Sequence, residues 1–147
     1  MGIRFDEIYA WEPIRPRNEG SLGEAFRNVP ASMLAGLHFY PLGVTAEVGH
    51  RLNPLTLIRN RTRSGDFVVF KLDIDSEGTE LQLLQSLLAD DELLDLVDEF
   101  YFEMHCCTSV MAMHGMACTE NSKKVLADWY EMVTPARQRG LRIHFWP

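Results

Sequence analysis

The chain has 147 residues, of which 46% are hydrophobic, and its formal net charge is -7. This length and apolar content predict one globular domain, residues 1–147, with a sizeable core. The negative charge argues against binding to nucleic acid or to an anionic membrane surface. No segment approaches the roughly 20 apolar residues of a membrane span, and the first ten residues carry charges, so we expect a soluble cytoplasmic protein.

The first third of the chain predicts two short strands separated by a loop. "FDEIYAWEP" alternates apolar and polar residues and predicts a strand that ends near Glu12. The proline- and glycine-rich stretch that follows predicts a loop with a short helix over 22–27, and Pro30 is expected to start a single helical turn. "GLHFYPLGVT" predicts a second strand, placed at a sheet edge because Pro41 has no N–H to donate.

Residues 46–65 show no clear period and are locally basic. A solvated loop is the favoured interpretation, and an anion-binding loop is the alternative. The arginines of this stretch are Arg51, Arg59, Arg61 and Arg63.

A strand and a helix follow. The continuous apolar part of "DFVVFKLDID" predicts a strand buried on both faces, as in a parallel sheet covered by helices. In "TELQLLQSLLADDELLDLV", Leu81, Leu84 and Leu88 recur at helical spacing. Thr79 and Gln82 have the spacing of a capping box, so we expect the helix to begin at Thr79.

The last third continues the alternation of strands and helices. "DEFYFEMHC" predicts a strand, "NSKKVLADWYEMV" an amphipathic helix and "LRIHFWP" a final strand after Gly140. Pro135 falls inside the helical pattern and is expected to break or kink it near Thr134. The whole pattern predicts an α/β fold with a sheet of the doubly wound type.

The stretch "KLDIDSEGTE" places carboxylates where a strand ends. Ligands of open parallel sheets bind beyond the carboxyl ends of the strands, and Asp73 and Asp75 are expected there on one face. Burying a carboxylate after so apolar a strand is costly without a partner, so Asp73 is a candidate functional residue. Lys71 is the alternative, as a purely structural partner. Glu77 and Glu80 are assigned to the helix dipole.

Glu12 ends the first predicted strand in the same way. An acidic residue at the carboxyl tip of a strand can bind both hydroxyls of a ribose. Trp11 precedes it and is the candidate for contact with an adenine ring. Glu12 and Asp73, both at strand ends, therefore predict a ligand that contains a nucleoside.

Three blocks of the sequence resemble a known family. "FDEIYAWEP", "DFVVFKLDID" with the following "GTE", and "DEFYFEMH" resemble, in this order, blocks of the FkbM-type S-adenosylmethionine-dependent methyltransferases. The resemblance covers nearly the whole chain. It implies a Rossmann-like class I methyltransferase fold, with a mostly parallel sheet and helices on both faces. It also implies S-adenosyl-L-methionine as the cofactor and methyl transfer to an oxygen or nitrogen of a small molecule or glycan.

The resemblance also implies roles for individual residues. Glu12 would hold the ribose of the cofactor, and Asp73 and Asp75 would lie near its methyl group. Glu103 and His105 would border the substrate. Asp73 is the first candidate for a general base and His105 the second. The turn of the family can be aligned from either aspartate, so the two remain alternatives.

The chain departs from the family at its start. Enzymes of this type have a first strand and a glycine-rich turn before the strand that ends in the acidic residue, whereas this chain begins only a few residues ahead of "FDEIYAWE". We therefore expect an N-terminally truncated domain, with a gap in the sheet between the strands that end in Glu12 and Asp73. Weakened cofactor binding and self-association through exposed sheet edges would follow. A non-catalytic interaction module is the alternative function.

A second group of residues has the chemistry of metal ligands or nucleophiles. Its spacing fits no common zinc pattern, and no acid that would orient a cysteine–histidine pair can be identified. We therefore assign no metal and expect free, reduced thiols. The group consists of His105, Cys106, Cys107, His114 and Cys118.

Overall fold

The computed structural model describes residues 4–13, 26–74, 76–103 and 126–146. The chain divides into two compact units, Met1–Val44 and Thr45–Pro147. Each unit contains its own sheet, and the described strand pairs are all parallel. Strands and helices follow one another along the chain, so the predicted α/β class with mostly parallel strands is confirmed.

The first unit contains strand β1 (Ile8–Trp11), helix α1 (Ala31–Leu34) and strand β2 (Leu37–Tyr40). The two strands pair in parallel, from Ile8 with Leu37 to Trp11 with Tyr40. Both predicted strands and the helical turn after Pro30 are confirmed. The helix expected over 22–27 lies largely outside the described residues.

Gly36 lies where the backbone entering β2 passes the backbone entering β1. Its carbonyl accepts a hydrogen bond from the amide of Ile8 at 2.8 Å. A Cβ atom at position 36 would lie 2.3 Å from the backbone oxygen of Asp6. This distance leaves no room for a side chain, because a backbone atom cannot turn away as a flexible side chain can.

The second unit has strand β4 in the centre of its sheet, between β3 and β5. In the register, Leu72 of β3 lies beside Phe102 of β4, and Phe102 lies beside Phe145 of β5. The elements are α2 (Pro54–Arg61), β3 (Val69–Leu72), α3 (Glu77–Leu88), α4 (Asp91–Leu96), β4 (Glu99–Glu103), α5 (Leu126–Gln138) and β5 (Arg142–Trp146).

Helix α2 corrects the prediction of a solvated loop over residues 46–65. The side chain of Asn53 accepts hydrogen bonds from the amides of Leu55 and Thr56, at 2.8 and 3.3 Å, and so caps the helix. Pro54 occupies the first turn, where its missing N–H is not needed. Leu55 and Ile58 are buried, so packing against the core stabilises this helix. The helix is short, and its sequence shows no clear helical period.

One face of the β3–β4–β5 sheet forms the core. The ring of Phe102 contacts Trp129 of α5, with centroids 5.3 Å apart. The opposite face is more open, since Val69 and Lys71 are exposed. The expectation that β3 is buried on both faces is therefore wrong: its apolar run continues outside the strand, where Phe67 is also exposed. The buried side chains of the core face are Phe70, Leu72, Phe100, Phe102 and Ile143.

Two predicted helix boundaries are wrong. Helix α3 begins at Glu77 after Ser76, so Thr79 lies inside its first turn and accepts a hydrogen bond from the Ser76 hydroxyl at 3.2 Å rather than capping the helix. Helix α5 continues through Pro135 to Gln138 instead of breaking near Thr134. The predicted end near Gly140 is confirmed, since that residue has a φ of 106°, which favours glycine.

Helix α4 is separate from α3 and is held by charges at its start. Asp90 caps it by accepting a hydrogen bond from the amide of Leu93 at 3.0 Å, and its other oxygen pairs with Arg59 of α2. The Leu93 amide, and after it the Arg59 guanidinium, lower the pKa of Asp90 from its ordinary value. Arg139, after α5, pairs with Asp91.

No helix in the described ranges has both the length and the apolar content to cross a membrane.

Replacing Gly36 by alanine should destabilise the first unit by about 1 to 3 kcal/mol, because the backbone must separate to admit the new methyl group. Amide hydrogen exchange at Ile8 and Ala10 measures this loss. Gly43→Ala is the control, since a Cβ atom there meets nothing within 4 Å. Equal exchange in both variants would contradict the close approach at Gly36.

Removing the Asp90 cap should lower the free energy of unfolding by about 1 kcal/mol in Asp90→Ala at neutral pH, because the Leu93 amide loses its acceptor. Asp90→Asn keeps that acceptor and should lose less. The lowered pKa means that the carboxylate stabilises the folded protein fully above its ordinary pKa and ceases to do so as the pH falls through the folded value. Urea unfolding at neutral and acidic pH should therefore show the wild type and Asp90→Asn converging in acid.

Candidate functional site

Two of the predicted site residues lie side by side at the carboxyl edge of the second sheet. Glu103 is the last residue of β4, and Asp73 directly follows the last residue of β3. Leu72 and Phe102, which precede them, are register partners in parallel strands. Asp73 and Glu103 therefore leave the sheet at the same end and at the same level, which is where ligands of parallel sheets bind.

Asp73 forms an ion pair with Lys71, the residue named above as its purely structural partner. Its Oδ2 lies 2.5 Å from Nζ of Lys71, and the side chain of Asp73 is 28% exposed. The side chain of Lys71 is over half exposed, so this ion pair contributes little stability. The pair orients the carboxylate while leaving part of it accessible at the sheet edge.

Glu103 is buried, with only 9% of its surface exposed. Residues of β4 alternate between faces, so Glu103 shares the open face of the sheet with Glu99 and Tyr101. Tyr101 is the register partner of Lys71, which places Lys71, and hence its partner Asp73, on the same face. The two carboxylates thus belong to one face as well as to one edge.

Glu80 is a carboxylate at this edge that sequence reasoning assigned to the helix dipole alone. Its side chain is 1% exposed, and its Oε1 accepts a hydrogen bond from the amide of Ile74 at 2.9 Å. The signal that could have identified it is its spacing. Glu80 precedes the buried Leu83, Leu84 and Leu87 by three, four and seven residues and therefore occupies the apolar stripe of α3.

A row of charged and aromatic side chains crosses the open face below this edge. Glu99 accepts one hydrogen bond from Nε of Arg142 at 2.6 Å and pairs with Nε2 of His144 at 2.5 Å. The bond to His144, followed by the bond to Arg142, lowers the pKa of Glu99. The ring of Tyr101 stacks on His144 with centroids 4.5 Å apart. These contacts fasten β5 to β4 on the side that carries Asp73 and Glu103.

The first unit contains Glu12, the residue that is predicted to bind the ribose. Glu12 follows β1 and is exposed, and its amide donates to the carbonyl of Tyr40 at 3.1 Å. The ladder between β1 and β2 thus continues to Glu12, and the carboxylate projects from the end of a strand as predicted.

Trp11 is half-buried and belongs to a layer of stacked rings on one face of the β1–β2 sheet. It stacks on Tyr40 with centroids 5.4 Å apart, and Tyr9 stacks on His38 at 4.5 Å. The indole Nε1 of Trp11 is buried and makes no hydrogen bond within the part of the chain that the structure describes. Tyr40 thus occupies one face of the ring proposed to contact adenine.

The remaining predicted residues lie outside the described ranges. These include Asp75 and His105, and with them the cysteines and His114 of the alternative metal or nucleophile cluster. Within the described ranges, no group of three or more histidine, cysteine, aspartate or glutamate side chains could hold a metal ion.

Comparison with known proteins adds no relative: no protein-family model, no curated protein and no solved structure matches the chain.

Proposed function

We propose that this chain carries a Rossmann-like, S-adenosylmethionine-dependent methyltransferase domain that transfers a methyl group to an oxygen or nitrogen of a small molecule or glycan. The observation that carries the proposal is the placement of Asp73 and Glu103 at one edge and on one face of a parallel sheet. Acidic groups gathered where parallel strands end are the usual position of a ligand site in α/β proteins. The blocks that resemble FkbM-type methyltransferases contain these same residues.

The roles follow from the chemistry of methyl transfer. Displacement at a methyl group needs the donor and acceptor atoms in line, and the protein contributes mainly their positioning. Asp73, oriented by Lys71 and partly accessible, is the proposed base that takes the proton of the acceptor. Glu103 is proposed to border the acceptor, and the roles of Asp75 and His105 near the methyl group and the substrate rest on the family resemblance, since both lie outside the described ranges.

Cofactor binding is assigned to the carboxyl end of β1. Glu12 is the proposed ligand of the ribose hydroxyls, because it is exposed at the tip of a parallel strand. Trp11 is proposed to contact the adenine through its half-buried ring.

A non-catalytic interaction module is the second candidate, and one observation favours it. The described strands form two separate sheets, and the division falls between the strand that Glu12 follows and the strand that Asp73 follows. Unpaired strand edges recruit partners, so self-association belongs to this proposal as well.

Titration with S-adenosylmethionine tests the cofactor. We expect saturable binding, because Glu12 and Trp11 are proposed to contact the ribose and the adenine. Glu12→Ala should weaken binding roughly ten- to a hundredfold, which is the value of a hydrogen bond to a charged group. Glu131→Gln, an exposed charge change on α5, is the control. An unchanged affinity in Glu12→Ala would remove the ribose from this position.

Methyl transfer distinguishes the proposed base from a structural residue. With labelled S-adenosylmethionine and a panel of sugars and small hydroxy acids, Asp73→Asn should lower turnover at least tenfold and leave cofactor affinity within about twofold. Lys71→Met breaks the same ion pair but keeps the carboxylate, so it should lose less turnover than Asp73→Asn, because the base is present but no longer oriented by Lys71. If both variants lose turnover equally, the ion pair is what matters and Asp73 is not the base.

A further inference from the structure

Glu80 connects the start of α3 to the backbone that leaves β3. It is the fourth residue of the helix, and its carboxylate reaches back to the amide of Ile74. Ile74 directly follows Asp73, so the hydrogen bond holds the peptide unit at the carboxyl side of the proposed base. The helix thereby fixes the turn in which the strand ends.

The choice of a carboxylate at position 80 needs an explanation. Its neighbours on the buried stripe of α3, among them Leu83 and Leu84, are fully buried leucines, and a leucine at position 80 would continue the same core. Burying a carboxylate instead carries a large desolvation cost that only strong hydrogen bonds offset. Local packing therefore does not account for Glu80, whereas its bond to the turn does.

Asp73 is held from two directions. Nζ of Lys71, two residues earlier in the chain, lies 2.5 Å from Oδ2 of Asp73. Glu80 holds the backbone immediately after it, at 2.9 Å from its own Oε1 to the amide nitrogen of Ile74. A group that must meet a reacting atom within a few tenths of an ångström needs this kind of support, since small displacements are costly in rate.

We propose that Glu80 is a positioning residue of the candidate site, which acts through the Ile74 amide to fix the carboxylate of Asp73 beside Glu103. The proposal rests on the proposed function, since positioning implies a reaction or ligand at this edge. It differs from a role in the fold alone, because Glu80 then matters for the site at temperatures where the protein is fully folded.

The first test is the exchange of backbone amides in two variants. Glu80→Met removes the acceptor at similar volume, and the amide of Ile74 should exchange at least tenfold faster, the value of one hydrogen bond to a charged group. Glu80→Gln retains an acceptor oxygen and should stay within about threefold of the wild type. The amides of Phe100 and Phe102 in β4 are the internal reference. Unchanged exchange at Ile74 in Glu80→Met would overturn the proposal.

The second test concerns the site and uses the intact chain below its unfolding transition. Labelled methyl transfer should fall at least tenfold in Glu80→Met, with cofactor affinity changed less than about threefold, and Glu80→Gln should restore most of the turnover. If Glu80→Met unfolds, Glu80→Gln decides: an upfield shift of the Ile74 amide proton with turnover retained supports the hydrogen bond as the link. Turnover as low as in Asp73→Asn would overturn it in favour of the charge.

The two proposals fail separately. Wild-type protein that neither binds S-adenosylmethionine nor transfers its methyl group overturns the proposed function. Faster exchange at Ile74 in Glu80→Met would still establish Glu80 as the residue that fixes this turn. Normal methyl transfer by Glu80→Met, with the amide of Ile74 exposed to exchange, would overturn the positioning role and leave the proposed function intact.

Discussion

The pairing of β4 with strands on both of its sides is the constraint on which the second unit depends. Because β3, β4 and β5 run in parallel, residues that follow register partners leave the sheet together. This single condition brings Asp73 beside Glu103 although they are far apart in sequence. It also places Glu99 against Arg142 and His144, so that one face carries charge and the other carries the phenylalanines of the core. Any function assigned to this edge depends on the strand register that pairing with β4 sets.

The sequence predicted the elements whose patterns are local. Strand β4 follows from its aromatic run, and Gly140 marks the end of α5 because few other residues adopt its backbone conformation. Helix α2 was missed, since its capping pair Asn53 and Pro54 precedes a segment rich in arginine. The polarity of that segment outweighed the capping signal. Pro135 was judged by its intrinsic preference, and packing of the helix overrides that preference.

The candidate site was predictable only in part, and the reason is again physical. Glu12 and Asp73 could be identified because a strand pattern ends at each of them, whereas Glu103 was implied only by the family resemblance. Whether Asp73 is a ligand or an ion-pair partner depends on a distance to Lys71 that no pattern contains. Glu80 was hidden for the opposite reason: a glutamate in the first turn of a helix has an ordinary explanation in the helix dipole. Only its burial shows that this explanation is insufficient.

The two candidate functions make different demands on the same carboxylates. An interaction module needs exposed edges and surfaces, and it requires of Glu80 only that it hold the turn after β3. A site that handles a proton or a charged cofactor needs carboxylates held in fixed positions, and burial with a directed hydrogen bond supplies that. The division of the strands into two sheets favours the first function, whereas the carboxylates around the end of β3 favour the second. Every molecule that folds must offset the cost of desolvating a buried carboxylate. The carboxylates around the end of β3 therefore carry more weight than the division of the strands into two sheets.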